Sequence, residues 1–142
     1  MILVQRAEAP TILRLALHVG SALAMARSSL GWAYLAGLGP EERRGTLAML
    51  REALGAGWPA AETKILAALE HHARYGYVLN QRQYHPDINS IAVPVVAPGR
   101  RSVMAMNSGG AVSVATVEKL RGPVAEALQA LATQLAGMLP PE

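Results

Sequence analysis

The chain has no cysteine and no phenylalanine among its 142 residues. Without cysteine there are no disulfides, no thiolate-ligated zinc, no iron–sulfur cluster and no thiol nucleophile. That absence fits a cytoplasmic protein. Without phenylalanine, and with aromatics at only 4% of residues, the core must be built from Leu, Val, Ile, Met and Ala. Met25, Met49, Met104, Met106 and Met138 are adaptable filler for it. Charge is also scarce, at 16%, while half the residues are apolar, which excludes a disordered chain. No apolar run approaches the ~20 residues of a membrane span. The first ten residues place Gln5, Arg6 and Glu8 behind a very short apolar run, which is not a signal peptide.

The net charge of +3 is mild. Arg43-Arg44 and Arg100-Arg101 lie far apart and are not interleaved with aromatics. No basic stripe of the kind that tracks nucleic acid is present, nor a helix-turn-helix or zinc finger. The length suits one domain spanning 1–142.

Ile2 to Glu8 reads as a strand, broken at Ala9-Pro10-Thr11. Leu13, Leu15 and Leu17 alternate with Ile12, Arg14, Ala16 and His18, which predicts a second strand and a hairpin. Leu23 to Ala26 is a short extended piece. Ser28 or Ser29 caps a short helix through Leu38. Gly39-Pro40 opens a second helix, with Glu41 and Glu42 in its first turn and Gly55 and Gly57 at its end. Leu47, Leu50 and Leu54 give it an apolar stripe expected to be buried. A third helix covers about Pro59 to Tyr75, with Ile65, Leu66, Leu69 and Ala73 on its inner face and a surface pair Glu70–Arg74.

The stretch GYVLNQRQYHPDINSIAVPVV, residues 76–96, begins and ends apolar around a polar middle. Ile91 to Val96 and Ser102 to Ser108 form a hairpin across Ala97-Pro98-Gly99-Arg100. Pro94 within a strand predicts an edge or a bulge. A terminal helix carries Val117, Leu120, Val124, Leu128, Leu131, Leu135 and Met138 at three-and-four spacing. Gly122-Pro123 should kink or split it. The order is strands, helices, strands, helix, joined by hairpins and not crossovers. That is an α+β domain with an antiparallel sheet and helices packed on it.

Catalytic patterns are missing. There is no nucleophile elbow, phosphate loop or dinucleotide fingerprint. His71 and His72 point in different directions from one helix and have no histidine one turn away, so they read as helix residues and not metal ligands. His18, His85 and Asp87 form no evident acid–base pair. Four small polar clusters stand out against the aliphatic background. They are Ser28-Ser29-Leu30-Gly31 at a helix start, Asn80, Ser90, and Asn107-Ser108-Gly109-Gly110 at a strand end. Each alone reads as a cap or turn. Together they suit a mostly apolar pocket with a few placed polar groups.

The ordered set of motifs resembles the effector-binding domain of IclR-type transcriptional regulators. Ser-Ser-Leu-Gly-x-Ala-x-Leu-Ala after Leu23–Ala26 is similar to its helix-opening segment, and Gly39-Pro40-Glu41-Glu42 to the next helix start. Arg74-Tyr75-Gly76-Tyr77 resembles its entry to a strand, Ser90-Ile91-Ala92-Val93-Pro94-Val95 the strand that follows, and Met106-Asn107-Ser108-Gly109-Gly110 the strand after that. The resemblance covers nearly the whole chain. It implies a GAF- or profilin-like fold with a curved antiparallel sheet, no enzymatic activity and no cofactor. It implies an effector, a small organic acid or aromatic carboxylate, bound between sheet and helices. Ser28 and Ser29 open the helix there; Ser29, Leu30 and Gly31 would offer backbone groups to the effector's polar end. Asn80, Ser90, Asn107 and Gly109 would line it, and the polar stretch after Asn80 would be wall and lid. Homo-oligomerisation, as dimer or tetramer, is implied too, with DNA reached only through an N-terminal helix-turn-helix that these residues do not contain. Three residues depart from the pattern: Asn80 stands where the family often has an acid, Trp32 where it often has Lys or Arg, and Gly110 where it has Pro. The chain reads as a fragment of a longer regulator or as a free-standing sensor. The other reading is a ligand-free interaction module.

Overall fold

The computed structural model describes residues 1–9, 17–100 and 102–140. Its centre is an uncharged helix, α1 (Ser29–Gly37), whose sequence SLGWAYLAG is apolar on nearly every side. A helix with no polar face has to be covered all round. Here Leu30, Trp32, Ala33 and Leu35 are all buried. Ser28 caps its start by accepting from the Gly31 N–H at 3.0 Å. At its other end Arg43 donates to the carbonyls of Leu35, Ala36 and Leu38 at 2.8–3.1 Å. Those carbonyls have no partner within the helix, so the guanidinium closes the end that the sequence leaves open.

Pro40 starts α2 (Pro40–Leu54), and a short 3₁₀ turn, Gly55–Gly57, leads to α3 (Trp58–Tyr75), which ends on Gly76 in the left-handed conformation. The sheet follows: β1 (Val78–Gln81), β2 (Ile88–Val96) and β3 (Val103–Ala111), antiparallel throughout, with β2 in the middle. The hairpin turn places Gly99 at φ 76°, the positive angle that Pro98-Gly99 predicts. The chain closes with α4 (Val117–Lys119), a π turn over Leu120–Val124, and α5 (Ala125–Met138).

Two apolar layers sandwich the sheet. On one face α1 and α3 bring Trp32, Leu35, Trp58, Ile65 and Ala68 against Val78 and Ala92. On the other, α5 and the π turn bring Leu120, Leu128 and Ala132 against Tyr77, Ile91, Val93 and Val95. This is the α+β architecture expected from the order of elements.

Several details differ from the sequence reading. Ile2 to Glu8 is not a strand. Three main-chain hydrogen bonds join Met1 and Leu3 to 20–23, but only the Ile2–Ala22 bridge forms. Beyond it Arg6 turns to the Leu17 carbonyl and to Glu8, so the ladder stops where the polar residues begin. The partner strand expected at Leu13–Leu17 lies, apart from Leu17, outside the described residues. The stretch after Leu23 turns at 25–27 instead of extending.

In α2 no residue is buried; Leu47 and Leu50 are half-covered and Leu54 is exposed. In α3 the inner line is Trp58, Ile65 and Ala68, with Leu66 and Ala73 outside it. Successive helical residues lie about 100° apart, so Leu66 passes out of the seam that Ile65 occupies. In the terminal helix Leu131 and Met138 are exposed. The π turn around Gly122 (φ −97°, ψ −106°) adds a residue to the turn and shifts the phase, so Ala125 and Ala132 share the inner face with Leu128. Pro94 sits in the middle strand, yet β1 reaches only as far as Ala92, so at Pro94 β2 is itself an edge.

Candidate functional site

Strand register assembles the polar clusters. Asn80 in β1 lies opposite Ser90 in β2, and Ser90 lies opposite Gly109 in β3. These three form one row across the sheet. The next row is Val78, Ala92 and Asn107. Side chains two apart on a strand share a face, so both rows look toward α1. Ser90 donates across the gap to Ser29 at 2.8 Å, hydroxyl to hydroxyl, and both residues are buried. Thus Ser28, Ser29, Asn80, Ser90 and Gly109 converge beneath the first turn of α1. The row runs from buried Asn80 to exposed Gly109, and Asn107 beside it is exposed as well.

Close approach makes this possible. A Cβ on Gly31 would stand 2.0 Å from the Met25 carbonyl oxygen, so only glycine lets the turn before α1 fold back onto the helix. A Cβ on Gly109 would stand 2.7 Å from that of Ser90. A side chain there would fill the space beside the hydroxyl pair.

The roles differ from residue to residue. The Gly31 N–H is already taken by Ser28 Oγ, so Gly31 does not present it to a ligand. The N–H groups of Ser29 and Leu30 precede the first intrahelical acceptor. Trp32 is core: its ring is buried and its indole N–H donates to the Ala26 carbonyl at 2.9 Å. Asn80 uses both ends of its amide. Its NH₂ donates to the Arg27 carbonyl at 2.8 Å, and its oxygen accepts from the N–H groups of Gln83 (3.0 Å) and Tyr84 (3.3 Å). An acid here would have no hydrogen to offer Arg27. Asn80 therefore ties the loop after β1 to the turn before α1, and Tyr84 adds to the tie by lying under the Arg27 guanidinium.

Asn89 is the buried polar residue that the sequence reading passed over. It faces the opposite side of β2 from Ser90, donates to the Ala115 carbonyl at 3.0 Å, and has no donor to its side-chain oxygen among the described residues. Two adjacent small polar residues in a strand put one on each face, and that was its signal in the sequence. His71 Nδ1 lies 2.9 Å from the Tyr77 carbonyl oxygen and its ring packs against Tyr75 and Tyr77. Among the described residues no three of His, Asp and Glu are grouped to hold a metal, and no helix is long and apolar enough to cross a membrane. Two surface grooves lie away from the polar row, between α2 and α3, over Arg44, Ala48, Arg51, Glu52 and Trp58.

Residues 1–136 match the family described as the bacterial transcriptional regulator IclR C-terminal domain. The chain belongs to this family. An IclR family regulator from Brucella abortus superposes with a TM-score of 0.81 at 32% identity, over 91% of this chain and 48% of that one. The HTH-type regulator TsaQ1/TsaQ2 of Comamonas testosteroni is 25% identical over 131 residues, 91% of this chain and 47% of its own length. The chain thus spans about half the length of these IclR relatives. The inducer-binding domain of PobR from Acinetobacter, a double mutant in complex with 3-hydroxybenzoic acid, shares the fold at 18% identity and a TM-score of 0.68, over 92% of this chain and 75% of that one. The chain is an effector-binding domain of the IclR family of transcription regulators, not an enzyme.

Proposed function

We propose that this domain senses a small organic acid, an aromatic carboxylate among the candidates, and that the acid's carboxylate docks at the hydroxyl pair beneath α1. One observation carries this. Ser29 and Ser90 hold two hydroxyl hydrogens and use one between them. The second is a buried donor with no acceptor among the described residues, and it lies where the first-turn N–H groups and the helix dipole favour negative charge. The apolar part of the acid would lie toward Ala105, which is only partly covered by the α1 layer. It would enter from the exposed end of the row at Gly109 and Asn107. The PobR domain's complex with a hydroxybenzoic acid supports that ligand class. The same reading takes the working protein to be a homo-oligomer of a longer regulator. DNA contact then falls to a segment beyond these residues, and this chain alone binds no operator.

A thermal-shift screen of the purified chain against benzoates, 2-oxo acids and aliphatic acids tests this. A binder at about 100 times its Kd stabilises the fold by ~2.7 kcal/mol, raising Tm by roughly 5–10 °C. Ser90→Ala keeps the packing and should abolish the shift. The burial of both serines favours the second reading, an interaction module without a ligand. A cooperative melt that no acid moves would decide for it.

A further inference from the structure

α1 has no charged residue, and seven of its nine positions are buried. Its dipole therefore lies in apolar packing, where it is screened less than at a surface. The two ends of that dipole are treated differently. At the start, the N–H groups of Ser29 and Leu30 find no carbonyl within the helix and lie beside the buried Ser29–Ser90 hydroxyl pair. At the far end, the half-buried Arg43 reaches over from α2. It sets its guanidinium against the carbonyls of Leu35, Ala36 and Leu38 at 2.8–3.1 Å. Those oxygens are the helix's negative pole. Arg43 forms no ion pair with a carboxylate among the described residues. Its charge is left to act on that pole.

From this arrangement we infer that Arg43 is a positioning residue for the acid. It fixes the far end of α1 and offsets the negative pole there, so a carboxylate at Ser29 and Ser90 meets a helix whose positive pole is unopposed. The inference rests on the acid-sensing reading and adds to it a residue that touches no ligand. The nine residues of α1 put about 14 Å of helix between Arg43 and the docking point. Over that length, at an effective dielectric of about 20, a unit charge changes anion affinity roughly five- to tenfold. Affinity is thereby set in part from α2, an element outside the polar row. Arg44, the other half of the basic pair, is exposed and bonds to none of these carbonyls.

Isothermal titration of the purified chain with benzoate, pyruvate and hexanoate tests this, one probe from each class of the screen. Whichever binds the parent is then titrated into Arg43→Gln, Arg43→Lys and Arg44→Gln. Both Arg43 variants lose the guanidinium fork and should melt at a similarly lowered temperature. Only Arg43→Gln also loses the charge. The expected result is an acid affinity about five- to tenfold lower in Arg43→Gln, with Arg43→Lys and Arg44→Gln within about twofold of the parent. Equal losses in the two Arg43 variants would tie affinity to the fold alone and overturn the inference. Unchanged binding in Arg43→Gln, or an equal loss in Arg44→Gln, overturns it too. In each of these cases the parent still binds, and the sensor reading stands. If Arg43→Gln fails to fold, Arg43→Lys decides. Affinity within about twofold of the parent's despite a lowered melting point supports the role of the charge, and a loss of about fivefold or more overturns it. A parent that binds none of the three probes overturns the sensor reading and this inference together.

Discussion

Gly31 and Asn80 show how single residues set the backbone around the candidate site. Alanine is the better helix former by about 1 kcal/mol, yet Gly31→Ala should destabilise the domain. Its methyl would press on the Met25 carbonyl oxygen, and relieving such a clash costs about 1–3 kcal/mol. Chemical denaturation of the variant measures this, and an unchanged or raised midpoint would show that the turn at 25–27 relaxes freely. Asn80→Asp is nearly isosteric. It keeps the acceptor for Gln83 and Tyr84 but loses the donor to Arg27 and brings a buried charge against a carbonyl. A loss of about 1–3 kcal/mol is expected, with faster exchange across residues 82–87 as the local sign. The serines of the helix start were legible because caps and small polar clusters are local signals. The paired roles of Ser29 and Ser90, 61 positions apart in sequence, were not, because only register brings them together.

Helix starts and stops could be read from their local signals: Ser28, the Gly39-Pro40 pair, Gly55 after α2 and the Gly122-Pro123 break. The buried face of each helix could be read less well. Spacing gives a stripe, but the angle at which that stripe meets its neighbours belongs to the packing. So Leu54, Leu66, Leu131 and Met138 are exposed although each fits its periodic pattern. Arg43 shows the same lesson in polar terms: noted in the sequence only as half of a basic pair, it closes α1 from α2. It also bears on α3, where burial first, then Arg43 and His71, hold the His72 pKa below its ordinary value of 6.5. The folded domain therefore takes up the His72 proton less readily than the unfolded chain does. That contribution to stability is complete above about pH 6.5 and is lost as pH falls from there through the lower folded value. Urea midpoints should drop between pH 7.5 and 5.5, and His72→Gln should remove part of the drop. A variant with the same pH profile as the parent would rule out this residue as the source.

At the scale of the molecule, an antiparallel sheet with helices packed on it followed from the order of hairpins and helices, whereas the covering of both its faces is seen only in the packing. The length of β2 and the position of the polar row within it did not follow from that order either. Both depend on pairing that composition does not encode. The row of Asn80, Ser90 and Gly109 exists because three strands keep step, and a side chain's face changes with every residue along a strand. The site's location is thus a matter of counting. A residue gained or lost in the connection between Tyr84 and Ile88 is taken up where it falls. One gained inside β2 ahead of Ser90 exchanges the faces of Asn89 and Ser90 and turns the hydroxyl away from α1. If the polar row is the binding face, such a domain can change its ligand by substitution, residue for residue, but it cannot lengthen its middle strand by one residue there and keep that face.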